Sequence, residues 1–231
     1  MVIIHGANSA AAEMAPLIQA LGPYTRAVAP SLPGHGGREL PGRMTVPDFA
    51  ADVIAFMDRE GIERDVLTGY SFGGVLALYI ARHHPQRVAG VVALATKHVF
   101  DEATLTHWTH LVQPERLARP GNPRTAELEK IHAPNDWRDV ARENAKLFAT
   151  LRASPPLSEA DLASITAPVM IVSSSQDQIV PWNETLALGK RIPGSHVAMF
   201  YGPAHPLRAI PLPSVARTID EWMGKQGLRE R

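Results

Sequence analysis

The 231-residue chain is predicted to be an α/β protein: a mostly parallel sheet of about six strands, with helices on both faces. Short apolar runs alternate with segments of helical periodicity. Three of those runs, Asp65 to Thr68, Val88 to Ala95 and Pro168 to Ser174, do not alternate polar with apolar residues, as expected of parallel strands buried on both faces. Residues 101–152 interrupt the succession with helical patterns and no strand-like run, so a small helical cap is predicted inside a single domain spanning 1–231.

Met1-Val2-Ile3-Ile4 reads as a buried strand entering the loop His5-Gly6-Ala7-Asn8. From Ala10 to Leu21, the residues Met14, Leu17, Ile18 and Leu21 recur at helical spacing, and Gly22-Pro23 ends the pattern. Thr25 to Ala29 is predicted as a second strand. The Gly- and Pro-rich stretch from Pro30 to Gly37 is a loop. Thr45, with Asp48 three residues on and Pro47 in the first turn, starts a helix whose apolar face is Phe49, Val53, Phe56 and Met57, and Gly61 closes it. Another helix runs from Phe72 to about His84. In the insert the clearest stripe is Trp137, Val140, Ala141, Asn144, Leu147, Phe148 and Leu151. A helix near Asn183 to Arg191, a strand from His196 to Tyr201 and a last helix carrying Val215, Ile219, Trp222 and Met223 complete the chain. The charged tail from Lys225 to Arg231 is expected to be solvated and frayed.

Composition excludes several classes of function. Lys plus Arg equals Asp plus Glu at 23 each, so no net charge draws the chain to nucleic acid or an anionic membrane. Without cysteine there is no thiolate metal site, iron–sulfur cluster, disulfide framework or cysteine nucleophile. No apolar run reaches the eighteen or so residues that span a bilayer, and no signal-like segment opens the chain; a cytoplasmic location is the expectation.

Gly69-Tyr70-Ser71-Phe72-Gly73 matches the G-x-S-x-G nucleophile elbow, and it stands where that motif belongs, between a strand and a helix. Ser71 is the candidate nucleophile. A serine hydroxyl needs a histidine base oriented by a carboxylate. Asp177, just past the run Pro168 to Ser174, and His205, just past the next strand, follow Ser71 in the chain order Ser, acid, His. All three lie at strand C-terminal ends, the edge where open α/β sheets bind ligands. Asp101 and Glu102, after the preceding strand, are a second source of the acid. For the oxyanion, the candidate donors are the backbone N–H groups of Phe72 and Ala7; in a blander reading Gly6 serves only as a tight turn.

His5-Gly6, Leu32-Pro33-Gly34-His35-Gly36, the Gly69 to Gly74 elbow, Asp177 with Val180-Pro181, and His205-Pro206 together resemble the α/β-hydrolase superfamily over nearly the whole chain. The resemblance implies the α/β-hydrolase fold, in the form of a compact hydrolase with a small cap after the sixth strand, and no cofactor. Its members include esterases, thioesterases, lactonases, carbon–carbon bond hydrolases and some non-catalytic proteins. Two departures stand out. The antiparallel hairpin that usually precedes the His-Gly strand is absent, which leaves Thr25 to Ala29 as an edge that is either blunted locally or pairs with a second copy as a homodimer. Ser31 stands where relatives often carry Asp, so altered hydrogen bonding is expected in that loop.

Lys97 and His98 leave a strand on the catalytic edge and, with Trp108, are the candidate substrate-binding residues; the alternatives are a solvated loop pair and, for Trp108 and Trp137, the interior of the cap. His107 and His110 have a spacing open to metal ligands but no carboxylate cluster beside them, so no metal is expected. The reading is a carboxylesterase-like serine hydrolase whose partner is a small acyl substrate, neither nucleic acid nor membrane. Carbon–carbon bond hydrolysis and ligand binding with weak turnover are the alternatives.

Overall fold

The computed structural model describes residues 1–119 and 121–229. Among them, β1 (Val2–Ile4), β2 (Asp65–Tyr70), β3 (Val88–Leu94), β4 (Val169–Ser174) and β5 (His196–Phe200) form one five-stranded sheet in sequence order. Every neighbouring pair is parallel. Among the described residues ten α-helices surround it: α1 (Ala15–Leu21), α2 (Val46–Arg59), α3 (Phe72–His83), α4 (Glu102–Val112), α5 (Pro114–Leu117), α6 (Pro123–His132), α7 (Trp137–Leu151), α8 (Glu159–Ala163), α9 (Trp182–Arg191) and α10 (Leu212–Lys225). None is long and apolar enough to cross a membrane.

The non-alternating strands have a simple cause. Val2, Ile4, Leu67, Val91, Ala93, Val169 and Ile171 pack into one core with α2, α3 and α7. Their neighbours Ile3, Val66, Val92, Leu94, Met170 and Val172 pack into a second core with α1 and α10. Successive side chains point to opposite faces, and both faces are buried, so both registers must be apolar.

Three expectations are corrected. The sixth strand, Thr25 to Ala29, is a single bridge at Val28, which accepts from Ile3 N–H at 2.8 Å and donates to the Met1 carbonyl at 3.0 Å. In a parallel ladder the next donor would be residue 30, and Pro30 has no N–H. On the other side the amides of Tyr24 and Thr25 bond to the Leu21 carbonyl instead. The helix from Ala10 to Leu21 is divided into a 3₁₀ turn, Ala11–Met14, and α1, at the point where Pro16 removes a donor from the first turn of α1. The tail, as far as it is described, stays largely exposed but is tied back where fraying was expected: Leu228 N–H bonds to the Met223 carbonyl at 2.9 Å and Arg229 forks onto Asp220 at 2.8 and 2.5 Å.

Candidate active site

Ser71 joins β2 to α3 with φ +54° and ψ −120°, outside the regions ordinarily open to a residue with a side chain. Neighbouring contacts hold it there. Its N–H donates to the Leu94 carbonyl at 2.8 Å, and its carbonyl accepts from Gly74 N–H at 3.0 Å and Thr96 Oγ1 at 3.2 Å. The turn is tight enough that a Cβ on Gly69 would overlap the Gly73 carbonyl, and one on Gly73 would overlap the Ile4 carbonyl.

The loops after β4 and β5 bring Asp177 to His205. His205 Nδ1 lies 2.9 and 3.1 Å from the two Asp177 carboxylate oxygens, and Oδ1 also accepts from the amides of Ile179 and Val180 at 2.9 and 3.0 Å. Burial alone would raise the Asp177 carboxyl; the bond and charge of His205 and those two amides outweigh it and hold the group below the ordinary carboxylate range. An ionised carboxylate only accepts, so Nδ1 carries a proton, and in the neutral ring that tautomer makes Nε2 the acceptor. Nε2 is buried and has no hydrogen-bond partner among the described residues. The ring packs against Tyr70 at 5.2 Å between centroids, and the Tyr70 hydroxyl donates to the Ala204 carbonyl beside it at 3.1 Å.

Ser71 and His205 line one cavity of about 550 Å³. Ala7 and Asn8 lie on its wall, as do Leu117, Arg124 and Leu128 from α5 and α6, so the inserted helices supply part of the enclosure. The Ala7 amide belongs to the peptide whose carbonyl is Gly6 O, and His5 fixes that carbonyl. Leu32 N–H donates to His5 Nε2 at 3.0 Å, which leaves the proton on Nδ1 to bond Gly6 O at 2.7 Å. Burial, together with the nearby His132, pushes His5 down to about 4 and keeps it neutral. Phe72 opens α3, where a helix leaves its first amides without intrahelical acceptors.

The other sequence-predicted residues whose side chains are described do not line this cavity. Lys97 is 6 % exposed and pairs with Glu184 of α9 at 2.7 Å; neither Lys97 nor His98 is among the described residues lining the cavity that holds Ser71. His98 sits among Val75, Leu78, Phe100 and Leu162, and neither ring nitrogen has a hydrogen-bond partner among the described residues. The side chain of Trp108 lies outside the described residues. Asp101 caps α4, accepting from Thr104 N–H at 2.7 Å. His107 and His110 are exposed, and among the described residues no group of three or more His, Asp or Glu could hold a metal ion. Ser31 Oγ accepts from Ala11 N–H at 3.1 Å and its carbonyl from Arg38 Nη1 at 2.6 Å.

Sequence reasoning passed over Tyr70, Arg124 and Asn144. Tyr70 was hidden inside the elbow as its variable position. Asn144 carried a readable signal, as the one polar member of the α7 stripe, and it is fully buried. For Arg124 nothing in the local sequence marks it out from other surface arginines.

Residues 1–210 match the model of the family described as "Alpha/beta hydrolase family". A 2-hydroxymuconate semialdehyde hydrolase of Pseudomonas putida is 24 % identical over 217 residues, 87 % of this chain and 77 % of that one. A pimeloyl-[acyl-carrier protein] methyl ester esterase of Vibrio campbellii is 23 % identical over 230 residues, covering 89 % and 87 %. Among solved structures, a thermophilic esterase from Thermogutta terrifontis superimposes with a TM-score of 0.72 at 23 % identity, over 97 % of this chain and 89 % of that one. With a family model matched over most of its length and the same fold in a solved esterase, the chain belongs to the alpha/beta hydrolase family.

Proposed function

We propose that the protein is a serine hydrolase that cleaves a small carboxylic ester or a related acyl substrate through an acyl-enzyme. The observation that carries this reading is the buried Nε2 of His205, unpaired among the described residues, on a ring whose other nitrogen is bonded to Asp177, in the same cavity as Ser71. His205 Nε2 takes the Ser71 proton as Oγ attacks the substrate carbonyl, and Asp177 stabilises the imidazolium. The Phe72 and Ala7 amides receive the oxyanion. Collapse of the tetrahedral adduct expels the alcohol, which takes the proton from His205. Water then gives a proton to the same nitrogen and attacks the acyl group, releasing the acid and restoring Ser71. Residues 101–152 act as a cap that shapes the acyl pocket, with Leu117 and Leu128 as its apolar wall.

Steady-state kinetics on p-nitrophenyl esters of graded chain length test this. Wild type is expected to turn over short esters and Ser71→Ala to lose at least about 10⁴-fold in kcat, as happens when a nucleophile acting as one unit with its base is removed. Ser71→Ala retaining wild-type turnover would overturn the mechanism. Faster cleavage of carbon–carbon bonds in diketone-like compounds than of any ester would move the assignment to that reaction while keeping Ser71 and His205.

A further inference from the structure

Asn8, next to the Ala7 amide, has φ +50°, in the left-handed region that asparagine enters more readily than most residues with a side chain. Two side chains tie it down there, and both come from the inserted helices. Arg124, in the first turn of α6, donates from Nη2 to the Asn8 carbonyl at 2.9 Å while its guanidinium also pairs with both carboxylate oxygens of Glu13. Asn144, in the middle of α7, donates from Nδ2 to Asn8 Oδ1 at 2.8 Å, and its second hydrogen is shared between the Val140 carbonyl and His35 Nε2, each at 3.0 Å. The Ala7 amide is therefore held between two anchors: the Gly6 carbonyl of its own peptide plane, fixed by His5, and Asn8, fixed by the insert. A planar peptide turns only if the dihedrals on either side change together, and these anchors resist that.

We propose that Asn144 and Arg124 are positioning residues for the oxyanion site: by clamping Asn8 they hold the Ala7 N–H in its donating direction, so acyl transfer depends on the inserted helices being seated. The proposal rests on the serine-hydrolase reading and on Ala7 as an oxyanion donor. Neither side chain needs to touch the reacting atoms. A donor held loosely still binds the ground state, so the cost falls on kcat and little on KM.

A double-mutant cycle in kcat and KM on a p-nitrophenyl ester tests it, using Asn8→Gly, Asn144→Ala and the pair, with Arg124→Gln as an independent, partly exposed variant. Glycine accepts the Asn8 backbone conformation without strain, so the first variant removes the clamped side chain without forcing the turn into another shape. Each single variant is expected to lose about tenfold in kcat, less than the 10²- to 10³-fold cost of deleting a donor outright, with KM within about threefold. The Asn8→Gly/Asn144→Ala pair is expected to lose no more than about twofold beyond the worse single variant, because both break one contact. A boronic acid that forms a tetrahedral adduct on Ser71 should weaken by the same factor as kcat, a readout that general loosening of the fold would not match. Multiplicative losses in the pair, or kcat within twofold of wild type in Arg124→Gln and both single variants while Ser71→Ala is inactive, would overturn the proposal. Undiminished turnover by Ser71→Ala would instead strike the underlying reading.

Discussion

The loops at the C-terminal ends of β2, β4 and β5 and the inserted helices α5 and α6 bound the same cavity, yet they do so by different physics. At the strand ends the turns that carry Ser71 and Asp177 are shaped mainly by near neighbours in sequence, and His205 then takes its orientation from Asp177 on the adjacent loop. Ser71 is set by an elbow that glycine makes possible, and Asp177 by amides two and three residues on. In the insert, placement is made at long range: Arg124 reaches Glu13 and Asn8, and Asn144 reaches Asn8 and His35. Local placement tolerates changes elsewhere; long-range placement ties the site to how the insert packs.

The comparison can be broken most forcefully at the strand ends. Asp177→Asn is expected to lower kcat by about 10⁴-fold with little change in thermal stability, because the amide leaves His205 in the wrong tautomer. Loss of the fold instead would mean that the carboxylate is chiefly structural, and circular dichroism beside kinetics separates the two.

Lys97 sharpens the comparison, since it too leaves a strand end but turns away to Glu184. Lys97→Met is expected to destabilise the protein by about 2 kcal/mol, below the range for fully buried pairs because Glu184 keeps some solvent contact, with KM unchanged. A raised KM with an unaltered melting temperature would return Lys97 to the substrate.

The smallest effect concerns the seam between the two regions. His5, His35 and His132 follow one another at 5.2 and 5.7 Å between ring centroids, and burial lowers all three. His98, beyond the seam, is pushed down to about 4 in the same way. A histidine depressed on folding binds fewer protons in the native state than in the unfolded one, so its contribution to stability is full above the unfolded value of 6.5 and is lost as pH falls toward 4. The melting temperature should therefore drop steadily between pH 6.5 and 4, and His98→Leu should flatten the slope. A flat profile for wild type over that window would contradict the neutral seam.

The same division governs what could be read without coordinates. The strand-and-helix order and the Ser71, Asp177 and His205 positions follow from local patterns: continuous apolar runs, an elbow motif, and loops that must open on one edge of a parallel sheet. The failed strand at Thr25 to Ala29 was also a local matter, since Pro30 is visible in the sequence, and what was overlooked is that a parallel ladder needs its N–H. By contrast, the pairing of Lys97 with Glu184, 87 residues apart, and of Arg124 with Glu13, 111 apart, depends on how helices pack, which side-chain periodicity does not encode. Asn144 lies between these cases: a polar residue in an apolar stripe announces a buried partner without naming it.

The central claim is that Ser71 is the nucleophile activated by His205. Labelling with a fluorophosphonate probe, followed by mass mapping of the modified peptide, tests it most directly. The account predicts a single adduct on Ser71, formed rapidly by the wild type and at least about 10³-fold more slowly by His205→Gln. An adduct on another residue, or equal labelling rates in the two proteins, would contradict it.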